Sequence, residues 1–288
     1  MLALVAAAPV GPAVLVAVLV AAVLHAAWNA IAHAIPDQLV GFALIGVAVT
    51  AGAVLLVLTS AAPARASWPY LGGSAALHVT YNLLLMRSYR LGQFGQVYPL
   101  ARGTSPWLVA LAAATLVGEQ LAGIQVVGVV TISLGLGALV LAGGVPRRAA
   151  RPALVAAVLT GVSIAAYTTL DGVGIRSAGT AAGYTGWLFL LQGPVLPLMA
   201  AAARGRTLWR QARPHLLVGL TGGVLTLVAY GLVLWAQTRG ALAPIAALRE
   251  TSVIVGAVIG AVLFGEPFGR WRIAATTLVA AGVVLLSL

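Results

Sequence analysis

The chain has 288 residues, 61% of them hydrophobic and 7% charged, with a mean hydropathy of +1.06. So few polar side chains cannot cover a soluble domain, and an all-α integral membrane protein is expected. The net charge of +11 comes from 16 arginines and no lysine, and the chain has no cysteine, which excludes disulfides, thiolate chemistry and Cys-ligated metal.

A bilayer core takes about 20 apolar residues per helix. On that basis the chain reads as ten spans: 12–34, 39–59, 69–90, 95–117, 121–142, 152–174, 181–203, 214–237, 243–264 and 269–288. Turn and capping residues mark the breaks, among them Pro36-Asp37, Pro63, Gly118-Glu119, Gly179 and Gly265-Glu266-Pro267. The first run is too long for a cleaved signal peptide. The best domain boundary is the loop 143–151, which divides the chain into 1–145 and 146–288.

Ionisable groups inside such spans cost roughly 2.5–3.5 kcal/mol each at mid-helix and are functional candidates by default. In the first span, His25, Trp28 and Asn29 share one helix face at i, i+3 and i+4. His78, Tyr81 and Asn82 repeat that spacing in the third. Tyr98, Arg102 and Ser105 mark a face of the fourth, with Arg102 roughly 11 Å deep at 1.5 Å per residue. Tyr167 and Asp171 share a face of the sixth span. Tyr184 and Trp187 lie early in the seventh, and Arg249, Glu250 and Ser252 enter the ninth. Two polar layers are expected, one from each half, flanking a central pathway.

Each group has a plainer alternative. His25 and His78 could be packed histidines, and Trp28, Tyr98 and Tyr184 interfacial aromatics. Arg90 and Arg239 read as anchors at helix ends. Glu119 and Glu266 read as loop or helix-start residues. Arg102, Asp171, Arg249 and Glu250 are too deep for easy snorkelling and suit ion pairing, substrate contact or both.

The two halves repeat each other. Residues 73–91 align with 222–240, matching Gly73, Val79, Tyr81, Leu83, Leu85 and Arg90 to Gly222, Val228, Tyr230, Leu232, Leu234 and Arg239. After a two-residue gap, Arg102, Thr104, Ser105, Leu116, Gly118 and Glu119 match Arg249, Thr251, Ser252, Leu263, Gly265 and Glu266. Five spans per copy would invert the second copy in the bilayer, the layout of many secondary transporters. Loop arginines place the loops after odd-numbered spans in the cytoplasm and both termini outside.

Several motifs carry a resemblance: LHAAWN (24–29), YNLLL (81–85), VYPLARGTSPWLVAL (97–111), GE (118–119), DGVGIRSAG (171–179), ALRETSVIVGA (247–257) and FGEPFGRWRI (264–273). On these the chain resembles the EamA-like branch of the drug/metabolite transporter superfamily, in its ten-helix, two-repeat form. The resemblance implies proton-coupled or exchange transport of small metabolites, often export, through a cavity between the halves. In many relatives a lysine follows the first helix, where this chain has His33 and Pro36-Asp37.

The expected function is secondary transport of a small polar metabolite, such as an amino acid or organic anion, in a bacterial inner membrane. Arg102 and Arg249 would attract an anionic group, and Asp171 or Glu250 would bind an amine or carry a coupled proton. Trp28, Tyr81, Tyr98, Tyr167 and Trp187 would wall the cavity. A multidrug or organic-cation exporter is the alternative. An enzyme is not expected: His25, His33, His78 and His215 stand apart, with no His-Glu-x-x-His or Gly-x-Ser-x-Gly arrangement. No metal, cofactor or nucleic acid is implied. The expected partners are the substrate, protons and the lipid bilayer, with a monomer as the working unit.

Overall fold

A computed structural model describes residues 10–120, 122–142, 151–265 and 269–287. Glu266 and the arginines of the 143–150 loop therefore lie outside the described residues. The described chain is helical and contains no strand. In chain order the helices are α1 (Pro12–Ala34), α2 (Gln38–Thr59), α3 (Trp68–Leu91), α4 (Phe94–Gly103), α5 (Ser105–Ala112), α6 (Gly123–Ala142) and α7 (Arg151–Arg176). They continue as α8 (Ala181–Gln192), α9 (Val195–Arg204), α10 (Leu208–Ala212), α11 (Leu216–Gln237), α12 (Leu242–Arg249), α13 (Ser252–Leu263) and α14 (Arg270–Ser287).

Six stretches of helix are long and apolar enough to cross a bilayer: Pro12–Ala34, Gln38–Thr59, Val97–Val117, Arg151–Arg176, Ala181–Gln237 and Leu242–Leu263. The chain is thus a multi-pass membrane protein. The outer surface fits that solvent, since Leu58, Leu116 and Leu217 lie more than three-quarters exposed and Val262 is 74% exposed. Helix α3 is absent from the six although it has 24 residues. Its polar residues Ser74, His78 and Ser88 are buried against neighbouring helices.

Local chemistry explains the ends. Asp37 caps α2 by accepting from the Leu39 and Val40 amides at 3.1 and 3.3 Å. Its other oxygen accepts from Arg204 at 2.6 Å, which ties the start of α2 to the end of α9. Thr180 caps α8 through the Gly183 amide. Gly118 and Gly265, matched in the sequence repeat, adopt left-handed φ values of 75° and 64°, where a Cβ would be strained.

Three expected spans are interrupted. The fourth breaks at Thr104, where Pro106 enters the first turn of α5 without an amide donor. The seventh breaks at Gly193-Pro194 for the same reason. The ninth breaks at Glu250-Thr251. Thr104 and Thr251 are matched in the repeat, so both copies break their helix just past an arginine.

Packing brings α3 along α7, α6 along α14, α1 along α11 and α2 against α8. Small residues permit the close approach. A Cβ on Gly223 of α11 would sit 2.5 Å from the Ile45 carbonyl oxygen of α2. Gly223→Ala is expected to destabilise by about 1–3 kcal/mol, because backbone cannot yield as a side-chain tip can. At Gly72 of α3 a Cβ meets nothing within 4 Å. Gly72→Ala is expected to be neutral or to stabilise by up to about 1 kcal/mol. Melting midpoints of the two purified variants in one detergent check the contrast.

Candidate functional site

A cavity of about 60 Å³ lies where seven helices converge. Helix α1 contributes His25 and Trp28, α2 Phe42, Ile45 and Val49, and α3 His78, Tyr81 and Asn82. Further along the chain come Tyr167 of α7, Phe189 and Gln192 of α8, Leu196 of α9, and Thr226 and Tyr230 of α11. The walls are aromatic. His78 stacks on Tyr167 with ring centroids 3.9 Å apart and meets Tyr230 edge-on at 5.1 Å. Asn82 and Gln192 bridge α3 and α8, Nδ2 donating to Oε1 at 3.4 Å. No Asp, Glu or Arg lines this cavity among the described residues.

Six of the fourteen sequence-selected residues therefore meet at one cavity: His25, Trp28, His78, Tyr81, Asn82 and Tyr167. Seven others form a buried layer around it. Asn29 accepts from Tyr89 Oη at 2.7 Å and donates to the His25 carbonyl, tying α1 to α3. Tyr98 stacks on Phe94 with centroids 4.9 Å apart. Tyr184 Oη donates to Asp171 Oδ1 at 2.9 Å, and Tyr230 Oη donates to Oδ2. Asp171 is fully buried, and no ion pair among the described residues includes it. Tyr230 thus touches both the cavity and a carboxylate hidden behind its wall.

Arg102, Arg249 and Glu250 complete that layer, at the two helix breaks. Arg102 Nε lies 2.9 Å from Glu250 Oε2, an ion pair whose alignment is poor for a hydrogen bond. Ser105 Oγ donates to Glu250 Oε1 at 3.3 Å, and Arg102 Nη2 donates to the Arg249 carbonyl at 3.4 Å. Arg102 and Ser105 thus meet Arg249 and Glu250 directly, and Arg102 is already neutralised. Arg249 differs. It is 1% exposed, and its one hydrogen bond among the described residues runs from Nη2 to Thr168 Oγ1 at 3.4 Å. Its Nε and Nη1 have no hydrogen-bond partner among the described residues, and the guanidinium carbon stands 6.0 Å from the Tyr230 ring centre. Trp187, the last of the fourteen, packs edge-on against Trp68 and lies outside the cavity lining.

Sequence reasoning passed over Phe42, Phe189, Gln192, Thr226 and Tyr230. Tyr230 had a signal, because the repeat pairs it with Tyr81. Gln192 stands out as an amide in an otherwise apolar run.

Glu119 also acts beyond its own turn. Arg176 at the end of α7 donates from Nη1 and Nη2 to Glu119 Oε1, both at 3.1 Å. The same guanidinium reaches the carbonyls of Gln237 and Gly240. Glu119 in turn accepts the Leu242 amide at the start of α12. One clasp joins the turn after α5, the end of α7 and the α11–α12 turn. The chain has no cysteine, so a single reporter is clean. In an Ala241→Cys background, Arg176→Ala is expected to raise the rate of maleimide labelling severalfold. Unchanged labelling would make the clasp a static tie.

Among known proteins, residues 151–288 match the model of the EamA-like transporter family. No curated protein matches. Among 29 matching chains of solved structures is a crystal structure described only as that of a protein. It superposes with a TM-score of 0.67 over 95% of this chain and 94% of that one, at 18% identity, and so speaks for the fold alone. The many apolar helices agree with that match: over residues 151–288 the chain is similar to the EamA-like transporter family, which belongs to the drug/metabolite transporter superfamily.

Proposed function

We propose that the chain is a secondary transporter of a small polar metabolite, working as a monomer in a bacterial inner membrane. Ten spans in two inverted five-helix repeats, 1–145 and 146–288, would rock against each other around the cavity. The carrying observation is the cavity itself, walled by α1, α2 and α3 on one side and α7, α8, α9 and α11 on the other. The packing supports the repeat reading. The α1–α11 contact mirrors α3–α7 once each helix is exchanged for its counterpart, and the paired breaks mirror each other too. Discontinuous helices at the midpoint of a pathway are a recurrent way to build a transporter site.

At about 60 Å³ the cavity has room for a few waters, against the roughly 300–1,000 Å³ of drug-sized ligand pockets. A drug-sized substrate would fit only once the helices part. The unsatisfied donors of Arg249 lie one side chain behind the wall and would engage a carboxylate as the walls move. Asp171 would carry a coupled proton, with Tyr230 reporting its state to the cavity.

One observation favours a second reading, an organic-cation exporter: the lining is aromatic and holds no arginine. A thermal-stability screen of the purified protein separates the two, since ligands that bind the folded state raise the midpoint. Stabilisation by amino acids, organic acids or phosphonates, lost in Arg249→Ala, supports the metabolite reading. Stabilisation only by lipophilic cations, lost in Asp171→Asn, overturns it.

A further inference from the structure

Two histidines line the cavity, and each is held by its own helix in a different way. His25 Nδ1 lies 3.3 Å from Trp28 Nε1. An indole nitrogen only donates, so His25 Nδ1 must accept, and in the neutral ring the proton sits on Nε2. His25 is 7% exposed, and its Nε2 has no partner among the described residues. The result is a buried N–H donor beside the cavity with no protein acceptor among the described residues, so its acceptor comes from water or a ligand in the cavity.

His78 is held the opposite way. Its Nδ1 lies 3.0 Å from the Ser74 carbonyl oxygen and 3.2 Å from Ser74 Oγ. The Ser74 hydroxyl can donate or accept, but the carbonyl, the shorter contact, only accepts; it favours the proton on Nδ1 and leaves Nε2 of the neutral ring with a lone pair. The two residues occupy the same place in the repeated His-x-x-aromatic-Asn spacing, yet present opposite polarity. Trp28 against Tyr81 is the difference that matters: only the indole N–H reaches back to the imidazole.

We propose that His25 and His78 form a complementary donor–acceptor pair, His25 taking an oxygen acceptor of the ligand and His78 an N–H or O–H donor. The pair suits a molecule that carries both groups close together, such as a small zwitterion. This rests on the cavity being the transport site and names the class of substrate it takes. A simple cation offers nothing to His25, and a simple anion nothing to His78.

The test is nitrogen-15 NMR of the full chain labelled at histidine, at neutral pH in detergent. His25→Gln and His78→Gln assign the two rings. Trp28→Phe, which should disturb the His25 signals alone, serves if those variants do not fold. The expected result is Nε2–H for His25 and Nδ1–H for His78. Ser74→Ala should leave His78 unchanged, because the carbonyl remains. Glycine, acetate and methylamine are then titrated as probes small enough for the cavity. Acetate should shift His25, methylamine His78, and glycine both. The same tautomer on both rings, a doubly protonated ring, acetate acting at His78, methylamine acting at His25, or no shift with any probe would each overturn the pair. Opposite tautomers with matched probe shifts, but no compound carried across a membrane, would instead overturn the transport reading and leave the pair standing.

Discussion

Glu250→Ala is expected to cost about 3–5 kcal/mol, read as a large fall in the melting midpoint of the purified protein. The reason is burial on both sides of the pair: the Arg102 side chain is 2% exposed and that of Glu250 is 0%. Removing the carboxylate leaves a guanidinium in a low-dielectric interior, with Nη1 already lacking a hydrogen-bond partner among the described residues. The paired replacement Arg102→Met with Glu250→Leu removes both charges at similar volume. It should recover most of the loss, because an apolar pair avoids the desolvation of two ions. If the double variant is as unstable as the single one, the cost lies in packing and not in an orphaned charge.

Arg249→Ala is expected to weaken substrate binding by about 30-fold or more, the lower end of the 2–5 kcal/mol lost when one member of a buried charge pair is removed. The protein should still reach the membrane. Arg249 makes a single long hydrogen bond and no ion pair among the described residues, so the resting fold loses little with it. Arg249→Lys should be intermediate, since an ammonium keeps the charge but not the planar fork. Uptake into cells, normalised to the amount of protein in the membrane fraction, separates these outcomes. Normal uptake by Arg249→Ala would remove the residue from the site. A variant missing from the membrane would make Arg249 a structural group.

The two arginines show why matching residues in a repeat need not do matching work. Arg102 and Arg249 look alike in sequence, each placed just before a Thr-Ser helix break. Position 250 is an acid, and its counterpart Gly103 is not. One acid therefore serves two arginines, and the geometry gives it to Arg102. Glu119 makes a related point. As an acid after a glycine it reads as a local turn residue, whereas in the fold it gathers Arg176 and the Leu242 amide from distant parts of the chain.

By itself the sequence determined what depends on neighbours a few residues away. The apolar runs set the membrane class, since no other solvent suits such a surface. Proline, glycine and Asp37 or Thr180 set where helices start and stop, because caps and missing amides are local effects. It also determined which polar residues are sunk in apolar helices, and so where a site could be. Only the tertiary structure decided which of them face each other. That choice depends on the rotation of each helix and the closeness of its neighbours, set by contacts such as Gly223 against Ile45 that join residues far apart in the chain. So His25, His78 and Tyr230 open onto a cavity, while Arg102 is spent on Glu250 and Asn29 on Tyr89.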